Sequence, residues 1–101
     1  MAFRLVISRE ARREYRAIVD YLAKTLGSPQ DTRHFIGEFD AKAKLVRERP
    51  EAFGFCHLPE LAALGHRSTS VIRYTFLYKA MGDEVVIAHV FHQSRDYARL
   101  V

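Results

Sequence analysis

The chain has 101 residues, 49% apolar and 28% charged, a composition that excludes disorder and leaves room for one core in a single domain, 1–101. Sixteen Lys and Arg against twelve Asp and Glu give a formal charge of +4, which suits an anionic partner without choosing among nucleic acid, acidic protein and membrane surface. One cysteine, Cys56, excludes an internal disulfide and a cysteine-built metal site. No apolar run reaches the roughly 18 residues of a membrane span, and the opening Met1-Ala2-Phe3-Arg4 lacks the core of a signal peptide, so a cytoplasmic protein without membrane partner is expected.

Phe3, Leu5 and Ile7 alternate with Arg4 and Val6, which predicts an opening strand. Ser8 is a candidate N-cap with Glu10 in the first turn. Ala11, Tyr15, Ile18, Val19, Leu22 and Leu26 then recur at steps of three and four as one helical face, which Gly27 stops. Ser28-Pro29 restarts the chain as cap and first helical residue, and a second helix is predicted to about Arg49, with Phe35, Ile36, Phe39, Ala43 and Val46 inward and Pro50 as its end. Residues 51–66 read as an irregular apolar connection without Lys or Arg. From Arg67 the pattern is strand-like: Ser68 to Ile72, then Tyr74 to Lys79, a turn at Met81-Gly82-Asp83, and a run from Val85 to Phe91 that is apolar on both faces, as a central strand is. The expected fold class is α+β in the order β-α-α-β-β-β, an N-terminal strand and a helical hairpin packed on a small, mainly antiparallel four-stranded sheet.

The charge and the titratable groups lie in different halves. Residues 1–50 carry eleven basic and seven acidic side chains, while residues 51–101 carry five of each together with four of the five histidines. Arg9, Arg12, Arg13 and Arg16 on the first helix are candidates for contact with RNA or a partner; the plainer reading is a solvated surface paired with Glu10, Glu14 and Asp20. No phosphate loop, nucleophile elbow or zinc motif is present, so neither metal nor cofactor is expected. Cys56 reads as a buried, inert thiol. Alternation sends His89 and His92 to opposite faces, His89 as a packed core histidine and His92 at the rim. His92, Arg95, Arg67, Arg73 and Tyr97 are the residue types of a metal-free ribonuclease: an acid/base, cations against phosphorane charge and a ring to stack a base. Equally, Arg95-Asp96 reads as an ion pair fixing the C-terminus and Tyr97 as a packing residue.

The chain resembles the toxins of the RelE/ParE superfamily, the toxic halves of type II toxin–antitoxin, or plasmid-stabilisation, modules. The likeness runs from the opening strand and S-R-E-A-R-R-E-Y-R-A-I-V-D-Y-L, through S-P-Q-D-T-R-H-F, L-V-R-E-R-P and P-E-L-A-A-L-G-H-R, to Y-T-F-L-Y and V-V-I-A-H-V-F-H-Q-S-R-D-Y. It implies a growth-inhibitory protein held inactive by a co-encoded cognate antitoxin. It also implies one of two targets. RelE-like members cut ribosome-bound mRNA, using basic residues on the open face of the sheet and a C-terminal aromatic, whereas ParE-like members poison DNA gyrase without catalysis. By that resemblance Arg67 matches the Arg that opens the second strand, Arg73 lies near the start of the next, and His92, Arg95 and Tyr97 match the functional C-terminal edge, which favours the mRNA endoribonuclease; the missing cations in 51–66 and the H-x-x-R-D pattern at His92 to Asp96 favour the gyrase inhibitor. The nuclease is the first expectation and the gyrase inhibitor its alternative.

Overall fold

The computed structural model describes residues 3–93. β1 (Arg4–Ile7) leads into α1 (Arg9–Asp20), with the Ser8 hydroxyl accepting from the Ala11 amide as the N-cap. A π-helical turn, Tyr21–Thr25, continues α1, and the Leu26 amide reaches back to the Tyr21 carbonyl. This is where the single expected helical face ends. The wider turn carries the chain out of α-helical phase, so Leu22 stays buried while Leu26 is exposed. Gly27 takes φ +59° and reverses the chain into α2 (Pro29–Glu48), capped by Ser28 through the Asp31 amide. Phe35, Phe39, Ala43 and Val46 are buried along α2, with Ile36 half-buried beside them.

The connection read as irregular contains a 3-10 turn, Pro50–Ala52, and a short α3 (Pro59–Ala63). β2 (Arg67–Val71), β3 (Tyr74–Met81) and β4 (Glu84–His92) follow, β3 and β4 joined across Gly82, whose φ of +63° suits a two-residue hairpin. The sheet order is β1-β4-β3-β2, with β1 parallel to β4 and the other pairs antiparallel. β4 is thus the interior strand that its two-faced apolar run predicts. The α+β architecture and the order β-α-α-β-β-β stand, with α3 added.

α1 and α2 cover one face of the sheet. Phe35, Phe39 and Val46 meet Val71, Phe76, Tyr78, Val85, Ile87 and Val90 there. Burying so much apolar side chain is the main source of cohesion. The other face carries a smaller cluster, where Cys56 and Leu61, with Leu58 beside them, lie on Leu77 and Phe91. No helix of the described residues is long and apolar enough to cross a membrane.

Candidate functional site

His92 reaches the helical side of the sheet because β4 contains a bulge. Leu77 pairs with His89 but Tyr78 pairs with Ile87, leaving Ala88 as the extra residue. Strict alternation through β4 would put Val85, Ile87, His89 and Phe91 on one face. The bulge breaks that series, so Val85, Ile87 and Val90 face the helices while Phe91 faces α3. His92 shares the helical side with Val90, opposite Tyr74, and the two rings meet edge to face at 5.5 Å. His89 and His92 do lie on opposite faces.

Around His92 opens a cleft of about 710 Å³ between the end of α1, the start of α2 and the end of the sheet. Its floor includes Ile18, Leu22, Phe35 and Val90, and Asp31, His34, Arg73 and His92 bring polar groups to it. Tyr21, Leu26 and Ile72 also line it and are 47%, 53% and 42% exposed, which makes the mouth unusually apolar. Burial pushes the Tyr74 phenol above its ordinary value, so it remains a protonated donor at the cleft wall. Arg73 follows Ile72 in the β2–β3 turn. The Gln93 amide donates to the Arg73 carbonyl at 3.1 Å and the Gln93 side-chain amide to the Ser70 hydroxyl at 3.2 Å, which tie the end of β4 to that turn. Ile72 holds φ +59°, a conformation costly for a β-branched side chain.

Of the predicted catalytic residues, the structure brings His92 and Arg73 to this cleft and leaves Arg67 elsewhere. Arg67 pairs with Tyr78 and His92 with Tyr74, four positions apart on β3, or about 13 Å of strand. The Arg67 guanidinium donates to the Phe53 carbonyl at 2.7 Å and stacks 4.0 Å over the Phe55 ring. Arg95 and Tyr97 lie outside the described residues.

Arg9, Arg12, Arg13 and Arg16 are all exposed on α1, and none makes an ion pair within 4.0 Å among the described residues. Two of the three acids read as their partners are engaged otherwise, Glu14 with His89 and the Val90 amide and Asp20 with Lys24 at 4.0 Å, while Glu10 is exposed in the first turn of α1. Arg12 Nε donates to the Ile7 carbonyl at 3.2 Å. Cys56 is buried in the α3-side cluster. No three His, Cys, Asp or Glu side chains among the described residues converge as a metal site.

Asp31 and His34 also line the cleft, and their spacing on the first turns of α2 carries no mark of it in the sequence. Glu14, expected as a surface ion-pair partner, lines it too. Helical periodicity places Glu14 beside the Ile18 face, which is the one signal that it turns inward.

A sequence profile described as "ParE toxin of type II toxin-antitoxin system, parDE" matches residues 5–97. The fold is similar to that in a structure of the chromosomal ParDE toxin–antitoxin system from P. aeruginosa, with a TM-score of 0.71 at 17% identity over 90% of this chain and 96% of that one. It is also similar to the RelBE2 toxin–antitoxin complex from Mycobacterium tuberculosis, with a TM-score of 0.54 at 20% identity over 94% of this chain and 95% of that one. At such identities the likeness shows a shared fold. No curated protein matches the sequence significantly. The profile covers nearly the whole chain, and the chain therefore belongs to the ParE toxin family of type II toxin–antitoxin systems.

Proposed function

We propose that the chain arrests growth by binding DNA gyrase, a protein target, and that a cognate antitoxin restrains it. The observation that carries this reading is the placement of Arg67. A ribonuclease needs its cations gathered around the phosphate that the acid/base residue attacks. Here Arg67 is held by the Phe53 carbonyl and the Phe55 ring, about 13 Å of strand from His92. The sheet face opposite the helices supports the same reading. The resemblance places the basic residues of RelE-like nucleases on that face, and in this chain Cys56, Leu58 and Leu61 lie over its Leu77 and Phe91. The family match agrees with it.

For a protein-binding toxin the cleft is a contact surface. Tyr21, Leu26 and Ile72 expose apolar surface at its mouth, and tyrosine and arginine, here Tyr21 and Arg73, are among the side chains that carry most of the energy of a protein interface. Arg73 and His92 add polar groups that fix orientation. One observation favours the nuclease: His92 and Arg73 do share that cleft.

The test is to induce the protein without antitoxin, map mRNA 5′ ends, and assay the purified protein against gyrase on relaxed plasmid. The expected result is lost supercoiling with intact messages. Codon-phased cuts in translated messages with unimpaired supercoiling would replace the gyrase reading with the nuclease.

A further inference from the structure

The sheet face opposite α1 and α2 is covered by a strap of chain. Between Cys56 and His66 the chain crosses that face, and Cys56 and Leu61, with Leu58 beside them, rest on Leu77 and Phe91. Its one helix, α3, has five residues, too few to hold without those contacts. Two backbone bonds close the strap at His66. The Cys56 amide donates to the His66 carbonyl at 2.9 Å, and the His66 amide donates to the Leu61 carbonyl at 3.0 Å. Gly65, at φ +89°, turns the chain from α3 toward β2.

The His66 ring is 8% exposed, and its Nδ1 has no hydrogen-bond partner among the described residues. A neutral ring fits this site, whereas a charged ring would bring two N–H donors and a desolvated charge into it. The groups that face it from the sheet oppose that charge: Lys79 of β3 is a cation and His89 of β4 can become one. Lys79 runs close beneath, since a Cβ on Gly65 would stand 3.3 Å from its Cε. Glu14, the acid that α1 brings to His89, is held there and by the Val90 amide. On the strap itself His57 and Glu60 are exposed, and the next residue, Arg67, turns to the Phe53 carbonyl.

We propose that protonation of His66 releases this strap, so that mild acid uncovers Leu77 and Phe91 while the main core stays closed. A charged His66 reaches water by swinging outward at Gly65, which breaks the two backbone bonds and lifts Leu61 and Cys56 off the sheet. Burial and the neighbouring charges hold the His66 pKa below 6.5, so the released form takes up the proton first. The contacts of Phe35, Phe39 and Val46 on the other face share no residue with the strap. The release belongs to the fold and holds for either target.

Cys56, the one cysteine of the chain and 3% exposed beneath the strap, reports the release. The test follows its modification by dithiodipyridine between about pH 7.5 and about pH 5.5, each rate divided by that of the urea-unfolded chain at the same pH. The ratio is expected to rise roughly tenfold on acidification, the limit for one proton taken up below 6.5. It should stay flat in His66→Leu and still rise in His89→Gln. A thiol placed in the main core, Cys56→Ala/Val46→Cys, should show no rise. Equal rises at the two thiols would mean global unfolding and overturn the strap. A flat ratio in the unaltered chain, a rise kept in His66→Leu or a rise lost in His89→Gln would each overturn it as well. Thermal melting checks the fold of each variant. Should the core-thiol variant fail to fold, amide exchange in the unaltered chain decides: the Cys56 and His66 amides should lose protection on acidification while the Phe76 amide keeps it, and equal loss at all three would overturn the proposal.

Discussion

The Glu14 carboxylate on α1 accepts a hydrogen bond from the Val90 amide of β4 at 2.9 Å, and its oxygens lie 3.3 Å from Nδ1 of His89. β1 ends at Ile7 opposite Ile87, so the rest of β4 has no strand on that side. The helix takes over the ladder. The Ser8 amide donates to the Ile87 carbonyl, the Ser8 hydroxyl donates to the Ala88 carbonyl at 2.7 Å, and Glu14 then receives Val90. The bulge at Ala88 falls within this stretch, so the contacts that tie α1 to β4 also support the turn of His92 into the cleft.

Glu14→Ala leaves the Val90 amide without its acceptor in a half-buried position. It is expected to lower stability by about 1–3 kcal/mol in urea denaturation. Glu14→Gln retains a carbonyl oxygen for the same amide and should recover most of that loss. Equal losses in the two variants would mean that the charge facing His89, rather than the acceptor, carries the effect.

Tyr78 is fully buried, and its hydroxyl donates to the Pro50 carbonyl at 2.7 Å, which joins β3 to the end of the helical hairpin. Tyr78→Phe keeps the ring packing and strands the carbonyl of the buried Pro50. A loss of about 1–2 kcal/mol is expected in urea denaturation. An unchanged unfolding midpoint would show that the carbonyl finds another donor.

His66 is 8% exposed, and its Nδ1 has no hydrogen-bond partner among the described residues. Burial, with the nearby charges of Lys79 and His89, lowers its pKa below the ordinary 6.5. The unfolded chain therefore binds a proton that the folded chain resists. Stability from this group is complete above 6.5 and declines as pH falls through that value. The urea midpoint should fall between about pH 7.5 and about pH 5.5, and His66→Leu should reduce that fall. An identical pH dependence in the variant would remove His66 as its source.

Most of the fold was legible because local signals agreed: period two in β1, the Ser8 cap, the Ser28-Pro29 restart and the Pro50 stop each name an element and its end. The bulge was not legible. Val85 to Phe91 is apolar on both faces, so alternation carries no phase there and an inserted residue leaves no mark. The π-helical turn was hidden in the same way, since Leu26 fits an α-helical face as well as it fits an exposed rim. At the site, His92 was readable as a strand end, whereas Arg73, expected near the start of a strand, lies in the turn before it. The place of Arg67 was not readable, because its partners Phe53 and Phe55 come from a connection whose path no periodicity describes.

Ile72 occupies a left-handed conformation in the two-residue β2–β3 turn while its side chain is 42% exposed. Replacing it relieves backbone strain at the cost of the apolar contact that its partly buried side chain makes at the cleft mouth. Ile72→Gly is expected to raise stability by about 1 kcal/mol, read as a higher melting temperature. A lower melting temperature would show that apolar contact at the cleft mouth outweighs the strain.

His92 separates the two targets most directly, because binding and catalysis ask different things of it. Glutamine approximates the reach and hydrogen bonding of histidine but does not exchange a proton near neutral pH. A toxin that works by protein contact should keep growth arrest within about threefold in His92→Gln, whereas a nuclease using this imidazole as acid or base would lose about 10²–10⁴ in rate. Growth after induction is the readout, with antitoxin binding as the control for folding. His92 lies at the exposed end of β4, so the substitution leaves the core of Phe35, Phe76 and Val90 untouched. Abolished arrest with antitoxin binding intact, from an unaltered chain that leaves gyrase supercoiling unimpaired, would return the chemistry to His92 and the target to RNA.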